Sequence, residues 1–340
     1  MTEETHPTYE VLALRFGTHA DRPARDNFLF DEGQFTPGPM PMDFYLWVIR
    51  DDRRLLLVDT GFSEEMALRR GRTLFRCPVD ALADIDVTAD DVPDVVITHM
   101  HYDHAGNLDR FPAARVHLQE EELRFCTGPS MRHHAVRRPF EPVNVHTAVQ
   151  GLFEERLVLH RGEAEILPGV TVHRVPGHTP GTQVVRVPTA RGWVVLASDA
   201  THLWDNIRLR SPFPIVDQLT PMMEGYATIE ALADSDDHII PGHDPRVAER
   251  FPRLPGAPDW VRLHEEPLAE PVPVEPVLDG TRTGTQTGTP TRTQTGTQTR
   301  TPTRTQTGTQ TRTRTDTPTR TRTGTQTGAQ TGAVANGALR

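Results

Sequence analysis

Apolar and polar positions alternate from Tyr9 to Phe16 (Y-E-V-L-A-L-R-F), which predicts a first β-strand. Asp43 to Arg50 and Arg54 to Val58 read as a second and third strand, joined at Asp51-Asp52-Arg53. Glu64 to Arg70 is helical in pattern, and Ala89 to Val92 is a helical turn leading into a β-branched apolar run, Asp94 to Thr98. Arg115 to Leu118 predicts a strand followed by a helix from Gln119 to Phe125. From Gly128 to Phe153 the pattern dissolves, with prolines at 129, 139 and 142. Strands return at Val170 to Val175, Gln183 to Val187 and Trp193 to Ala197. A helix over Ala227 to Ala233 and a short strand, His238 to Ile240, close the series. Strand-rich segments followed by helix, given twice, predict an α+β fold: an αββα sandwich of two mixed β-sheets flanked by helices.

The pattern stops after Trp260. The expected organisation is a folded domain over 1–262, a Pro- and Glu-rich linker over 263–280, and a Thr-rich low-complexity tail over 281–340. The tail has almost no apolar surface to offset its ordering entropy, so disorder is expected there. It carries nine arginines and one aspartate, which leaves −18 on residues 1–280 out of a total of −10. So acidic a body argues against phosphate-backbone binding, and no nucleic-acid partner is expected. The two cysteines, Cys77 and Cys126, imply no disulfide framework. The acidic N-terminus lacks the features of a secretory leader, and no apolar run approaches the roughly 20 residues of a membrane span. A cytoplasmic protein without membrane attachment is the expectation.

Chemistry concentrates between Thr98 and Asn107 (T-H-M-H-Y-D-H-A-G-N), where His99, His101, Asp103 and His104 fall within six positions. A buried strand ending in a tight loop lets such side chains converge. Neutral imidazole with carboxylate suits zinc or a similar divalent ion. Four ligand-type residues exceed what one ion needs from one loop, which points to two metals. Three further turns follow predicted strands: P-G-H-T-P-G with His178, S-D-A with Asp199, and P-G-H-D with His243. Each is weak alone; in this order after H-x-H-x-D-H they form one constellation.

These motifs resemble the metallo-β-lactamase superfamily. The resemblance implies that His99, His101 and His178 hold one metal, that Asp103, His104 and His243 hold the other, and that Asp199 bridges two Zn2+ ions. It also implies that Asp59, in V-D-T-G, orients ligands from beneath. A metal-bridging hydroxide would attack a carbonyl, and Asp103 would carry a proton to the leaving oxygen. Within the superfamily the chain looks most like the N-acyl homoserine lactonases and pyridoxolactonases: a quorum-quenching, zinc-dependent lactonase acting on a small-molecule lactone or related ester. The alternative is a thioesterase of the hydroxyacylglutathione hydrolase type, or another ester or phosphodiester hydrolase. Those lactonases place a tyrosine three residues after the bridging aspartate; this chain has His202, a second catalytic candidate.

The remaining histidines read as structural or solvated. His6, His19 and His264 are expected in solvent, and His117, His146, His160 and His173 as satisfied singles in or beside strands. His238 is expected behind the last metal turn. Phe28, Phe30 and Phe35 are too many aromatics for an idle loop. They suit the site, the chain's own core or a second copy in a homodimer. Phe28, Phe30 and the segment from Met131 to Phe140 are expected to meet above the metals. There Arg132, Arg137 and Arg138 would suit a polar or anionic substrate group.

Overall fold

The computed structural model describes residues 6–30 and 38–268. Phe35 and the Thr-rich tail, like most of the expected linker, lie outside them. The long N-terminal strands show why the sandwich forms. Glu10–His19 and Met42–Arg50 pair antiparallel and send successive side chains to opposite faces. Leu12, Leu14, Phe44, Leu46 and Val48 meet Met66, Ala67, Leu82 and Ala148 from helical segments on one side. Val11, Ala13, Tyr45, Trp47 and Ile49 meet Val185, Val187, Val194 and Leu196 of the other sheet. With both faces buried, Val11 to Leu14 and Phe44 to Ile49 are continuous apolar runs rather than the alternation read in the first strand. The second sheet repeats the arrangement, turning Val184, Val195 and Ala197 outward onto Met222, Tyr226 and Ile229 of helix Leu219–Leu232.

Among the described residues the first sheet runs Arg253–Leu254, Ala257–Arg262, Glu10–His19, Met42–Arg50, Leu55–Val58, Asp94–Val96, Arg115–Gln119 and Leu157–His160, with Thr73–Leu74 beside the N-terminal strand. The second runs Ile239–Pro241, Gly192–Ser198, Gln183–Thr189, Val170–Arg174 and Ala164–Leu167. Both are mixed: strand pairs beyond Leu55–Val58 in the first, and Gly192–Ser198 with Ile239–Pro241 in the second, are parallel. This is the αββα architecture that the pattern predicts.

Helix Glu64–Arg70 has the predicted bounds. Ser63 caps its start by accepting from the Met66 amide, and Gly71 ends it at φ +61°. The stretch expected to dissolve differs. It holds helix Pro142–Phe153, whose proline occupies the first turn, where no amide hydrogen is needed. The C-terminal hairpin is also unforeseen. Trp260 is fully buried opposite Leu14, and packing continues through Leu263 and His264, whose Nδ1 accepts from the Val11 amide. No helix among the described residues is long and apolar enough to cross a membrane.

Candidate metal centre

Five strands of the two sheets end at one edge of the sandwich, and each hands its next residues to a common cluster. Leu55–Val58 delivers Asp59 and Asp94–Val96 delivers His99 to His104. From the other sheet Val170–Arg174, Gly192–Ser198 and Ile239–Pro241 lead to His178, Asp199 and His243. All are buried, with Asp103 the most accessible at 9%. His178 Nε2 lies 3.0 Å from His99 Nε2 and 2.9 Å from His101 Nδ1. His104 and His243 form a second set with Asp103, whose oxygens stand 3.8 and 4.0 Å from their Nε2 atoms. Asp199 lies between the sets. Its Oδ2 is 3.2 Å from His178 Nε2, and its Oδ1 is 3.2 Å from His104 Nε2 and 2.9 Å from His243 Nε2. All seven residues expected to hold metal, and His202, fall into groups whose ligand atoms lie within 4.8 Å of one another.

The donor set fits cations. His104 Nε2, His243 Nε2 and Asp199 Oδ1 are buried and have no hydrogen-bond partner among the described residues, although they approach one another closely. The far side of the rings explains the orientation. His178 Nδ1 donates to the Ile215 carbonyl (2.7 Å) and His243 Nδ1 to the Asp43 carbonyl (2.8 Å), which leaves both Nε2 atoms free to bind. Asp59 Oδ2 holds His104 Nδ1 at 2.7 Å, while Asp59 Oδ1 accepts from the Thr98 amide at 2.7 Å. The V-D-T-G aspartate therefore lies behind the cluster, as expected.

Burial, with the neighbouring histidines, pushes His99 and His101 well below the usual imidazole range and keeps them neutral. Burial acts the same way on His104, but Asp199, Asp59 and Asp103 outweigh it and raise that group. Three carboxylates at one imidazole demand positive charge, from a proton or from a bound cation. Burial opposes charge on Asp199 as well, yet His243, His202, His104 and His178 hold it well below the carboxylate range.

His202 reaches the site. Its Nε2 is 2.8 Å from Asp199 Oδ2, and its ring stacks on Phe213 at 3.2 Å and 5°. Glu122 was not foreseen. Opening a helix in an E-E-E run it looks solvent-facing, yet it is fully buried. It accepts from the Met100 amide (2.8 Å) and from Thr179 Oγ1 (2.5 Å), tying the His99–His101 loop to the His178 loop. Only its helical phase against the buried Cys126, one turn on, could have signalled it. His117 is satisfied by Asp94 (2.9 Å) and His160 (3.0 Å), as expected. His238 is not behind the metal turn; it bonds Ser235 and the Arg191 carbonyl. His19 and His264 are half-buried rather than solvated; His6 is exposed as expected, its ring edge-on to Trp193.

A cavity of about 890 Å3 opens over the cluster. Of the expected segment Met131 to Phe140, only His134 to Val136 and Arg138 to Phe140 line its wall. Phe28 does not line it. That ring is buried against Leu203, while Phe30 is 64% exposed. The N-terminal loop reaches the cavity through His19, Arg22 and Asp26 instead. Arg132 and Arg137 are exposed and bond local carbonyls.

A family model, the metallo-beta-lactamase superfamily, matches residues 45–243. The chain belongs to that superfamily. Among relatives in the superfamily, an N-acyl homoserine lactonase of a Bacillus species is 24% identical over 238 residues, covering 62% of this chain and 84% of its own. A probable metallo-hydrolase of Mycobacterium tuberculosis is 29% identical over 197 residues, half of this chain; the match spans 61% of that relative's length. Among solved structures, a quorum-quenching N-acyl homoserine lactone lactonase superposes with a TM-score of 0.59 at 20% identity, over 71% of this chain and 95% of its own. An N-acyl homoserine lactone hydrolase with the product N-hexanoyl-L-homoserine bound at its catalytic metal centre has a TM-score of 0.59 at 19% identity, over 72% and 96%. These likenesses establish the superfamily fold.

Proposed function

We propose that this protein is a dinuclear-metal hydrolase that opens a lactone ring. The observation that carries the reading is Asp199, which turns one oxygen toward each imidazole set at the floor of a substrate-sized cavity. His99, His101 and His178 would hold one divalent cation, zinc by donor type, and Asp103, His104 and His243 the other, with Asp199 between them. When bound, the pair would supply Lewis acidity toward a carbonyl oxygen and lower the pKa of a water toward about 7. In ring opening the water oxygen bonds to the acyl carbon and the acyl–oxygen bond of the ring breaks. One proton passes to the leaving oxygen, and the second is released as the product acid ionises. Asp103, the most accessible of the set, is placed to carry the first proton. Burial opposes charge on His202 and keeps it neutral, so its one N–H goes to Asp199 and its Nδ1 has no partner among the described residues. We assign it to positioning Asp199 rather than to donating to substrate. Lactonase relatives and neighbours support the substrate class. The folded domain is proposed to carry this activity without residues 281–340.

Elemental analysis should find close to two divalent ions per chain. Asp199→Ala should lose both metal and at least a hundredfold in turnover, whereas His117→Ala should keep the metal. Metal-loaded protein screened against lactones, thioesters and phosphodiesters tests the substrate. Inert lactones beside an active thioester would move the assignment to thioester hydrolysis.

A further inference from the structure

We propose that Arg22 and Arg72 form an anion-recognising subsite in the wall of the cavity, and that the substrate bears a carboxylate remote from the bond that is cleaved. The reacting bond rests on the lactonase reading above; the anion rests on geometry of its own.

Both arginines line the cavity that contains Asp103, Asp199 and His243. Arg22 is only 9% exposed. Its Nε donates to Asn27 Oδ1 (2.5 Å) and its Nη2 to the Asp26 backbone carbonyl. Arg72, half-buried, donates from Nε to Tyr102 Oη (3.2 Å) and from Nη1 to the Arg70 carbonyl (3.0 Å). Every one of these acceptors is neutral. No carboxylate stands within 4.0 Å of either guanidinium among the described residues. The Asp26 side chain, on the same wall, is half exposed and lies 3.7 Å from Arg25. The contrast with Arg70 is informative: that neighbour is matched by Glu141 at 2.5 Å.

Two like charges, one of them buried, are costly to hold together without a counter-ion. Burial, and then each arginine's field on its surroundings, is visible in nearby groups. His19, on the same wall, is pushed down to about 4 by burial and then by Arg72 and Arg22. The Arg22 guanidinium is itself disfavoured by burial, partly relieved by Asp26 and opposed by Arg72. The cavity lining carries four arginines and four aspartates, but at Arg22 and Arg72 no carboxylate of the described residues stands within 4.0 Å, and a bound anion would resolve that local imbalance. The ends without a hydrogen bond among the described residues are Nη1 of Arg22 and Nη2 of Arg72. One donor group from each of two segments suits the two oxygens of one carboxylate. Asp217, on the cavity rim, would repel an anion there, which biases the substrate's direction in the cavity.

The test compares two lactones on the metal-loaded full-length protein: N-glutaryl homoserine lactone, with a terminal carboxylate, and its terminal-amide isostere. The wild type should favour the carboxylate at least tenfold in kcat/KM, with the preference shrinking as salt rises. Arg72→Met should bring the ratio near one, and Arg72→Lys should retain part of it. Arg22→Met should do the same, but Arg72, less buried, keeps the test independent of folding. A wild-type ratio near one, or a ratio unchanged in Arg72→Met, overturns the proposal. If neither lactone is turned over, the lactonase reading fails while calorimetric titration with glutarate monoamide still decides the subsite. Weaker binding by Arg72→Met than by wild type supports it, and equal binding overturns it.

Discussion

Asp59 sits at φ +62°, a left-handed conformation that costs a non-glycine residue on the order of 1–2 kcal/mol. The return is that both its oxygens face the His104 loop, one on His104 Nδ1 and the other on the Thr98 amide. Ser198, at φ +45°, sets Asp199 in the same manner and meets Thr98 Oγ1 at 2.9 Å. Asp59→Asn keeps the shape and removes the charge that steadies the His104 ring. Metal affinity should fall about 10- to 100-fold. Competition with a chromogenic chelator measures it, and an unaltered affinity would strip Asp59 of its orienting role. The ligand-type residues were legible in the sequence because their spacing is compressed and each follows a strand. Arg22 and Arg72 were not, because an arginine in a loop carries no mark of burial or of a missing partner. The aromatic residues misled for the same reason: nothing in the sequence tells that Phe28 turns inward onto Leu203 while Phe30 points to solvent.

At the scale of elements, strands were legible wherever both faces are apolar, and the helix at Pro142–Phe153 was hidden because proline reads as a breaker unless its place in the first turn is known. Helix Glu120–Cys126 was legible, but its role was not. Its first turn presses so closely on the P-G-H-T-P-G loop that a Cβ on Gly181 would collide with the Glu122 backbone. Burial pushes the Glu122 carboxyl from its ordinary 4.5 up to about 7, against the hydrogen bonds from Thr179, Met100 and Gly181. The folded chain thus keeps a proton that the unfolded chain releases. The stability this contributes is full below about 4.5 and is lost as the pH rises through about 7. Urea unfolding of wild type and Glu122→Gln at pH 5 and pH 8 should show wild type losing on the order of 1–3 kcal/mol relative to the variant. A gap that stays constant with pH would mean that Glu122 is ionised in the fold.

At the scale of the whole molecule, the ligand set is divided between layers: His99 to His104 follow a strand of one sheet, while His178, Asp199 and His243 follow strands of the other. Polar bonds already join the layers at this edge, among them Thr98 to Ser198 and the Gln183 side chain to the Ile97 carbonyl (2.9 Å), and a metal would add to them. A cation bound here would be a cross-link between the layers, so its binding energy would also be folding energy. At a thousandfold excess of free metal over its dissociation constant, the added stability would be about 4 kcal/mol. Calorimetric Tm should rise with added zinc and return on chelation; a Tm indifferent to both would mean that the layers hold without the ions. The proposed reaction centre would then also be the rivet of the sandwich. A cell short of metal would lose more than turnover from this protein: the unriveted edge would open first, and proteolysis would begin where catalysis had stopped.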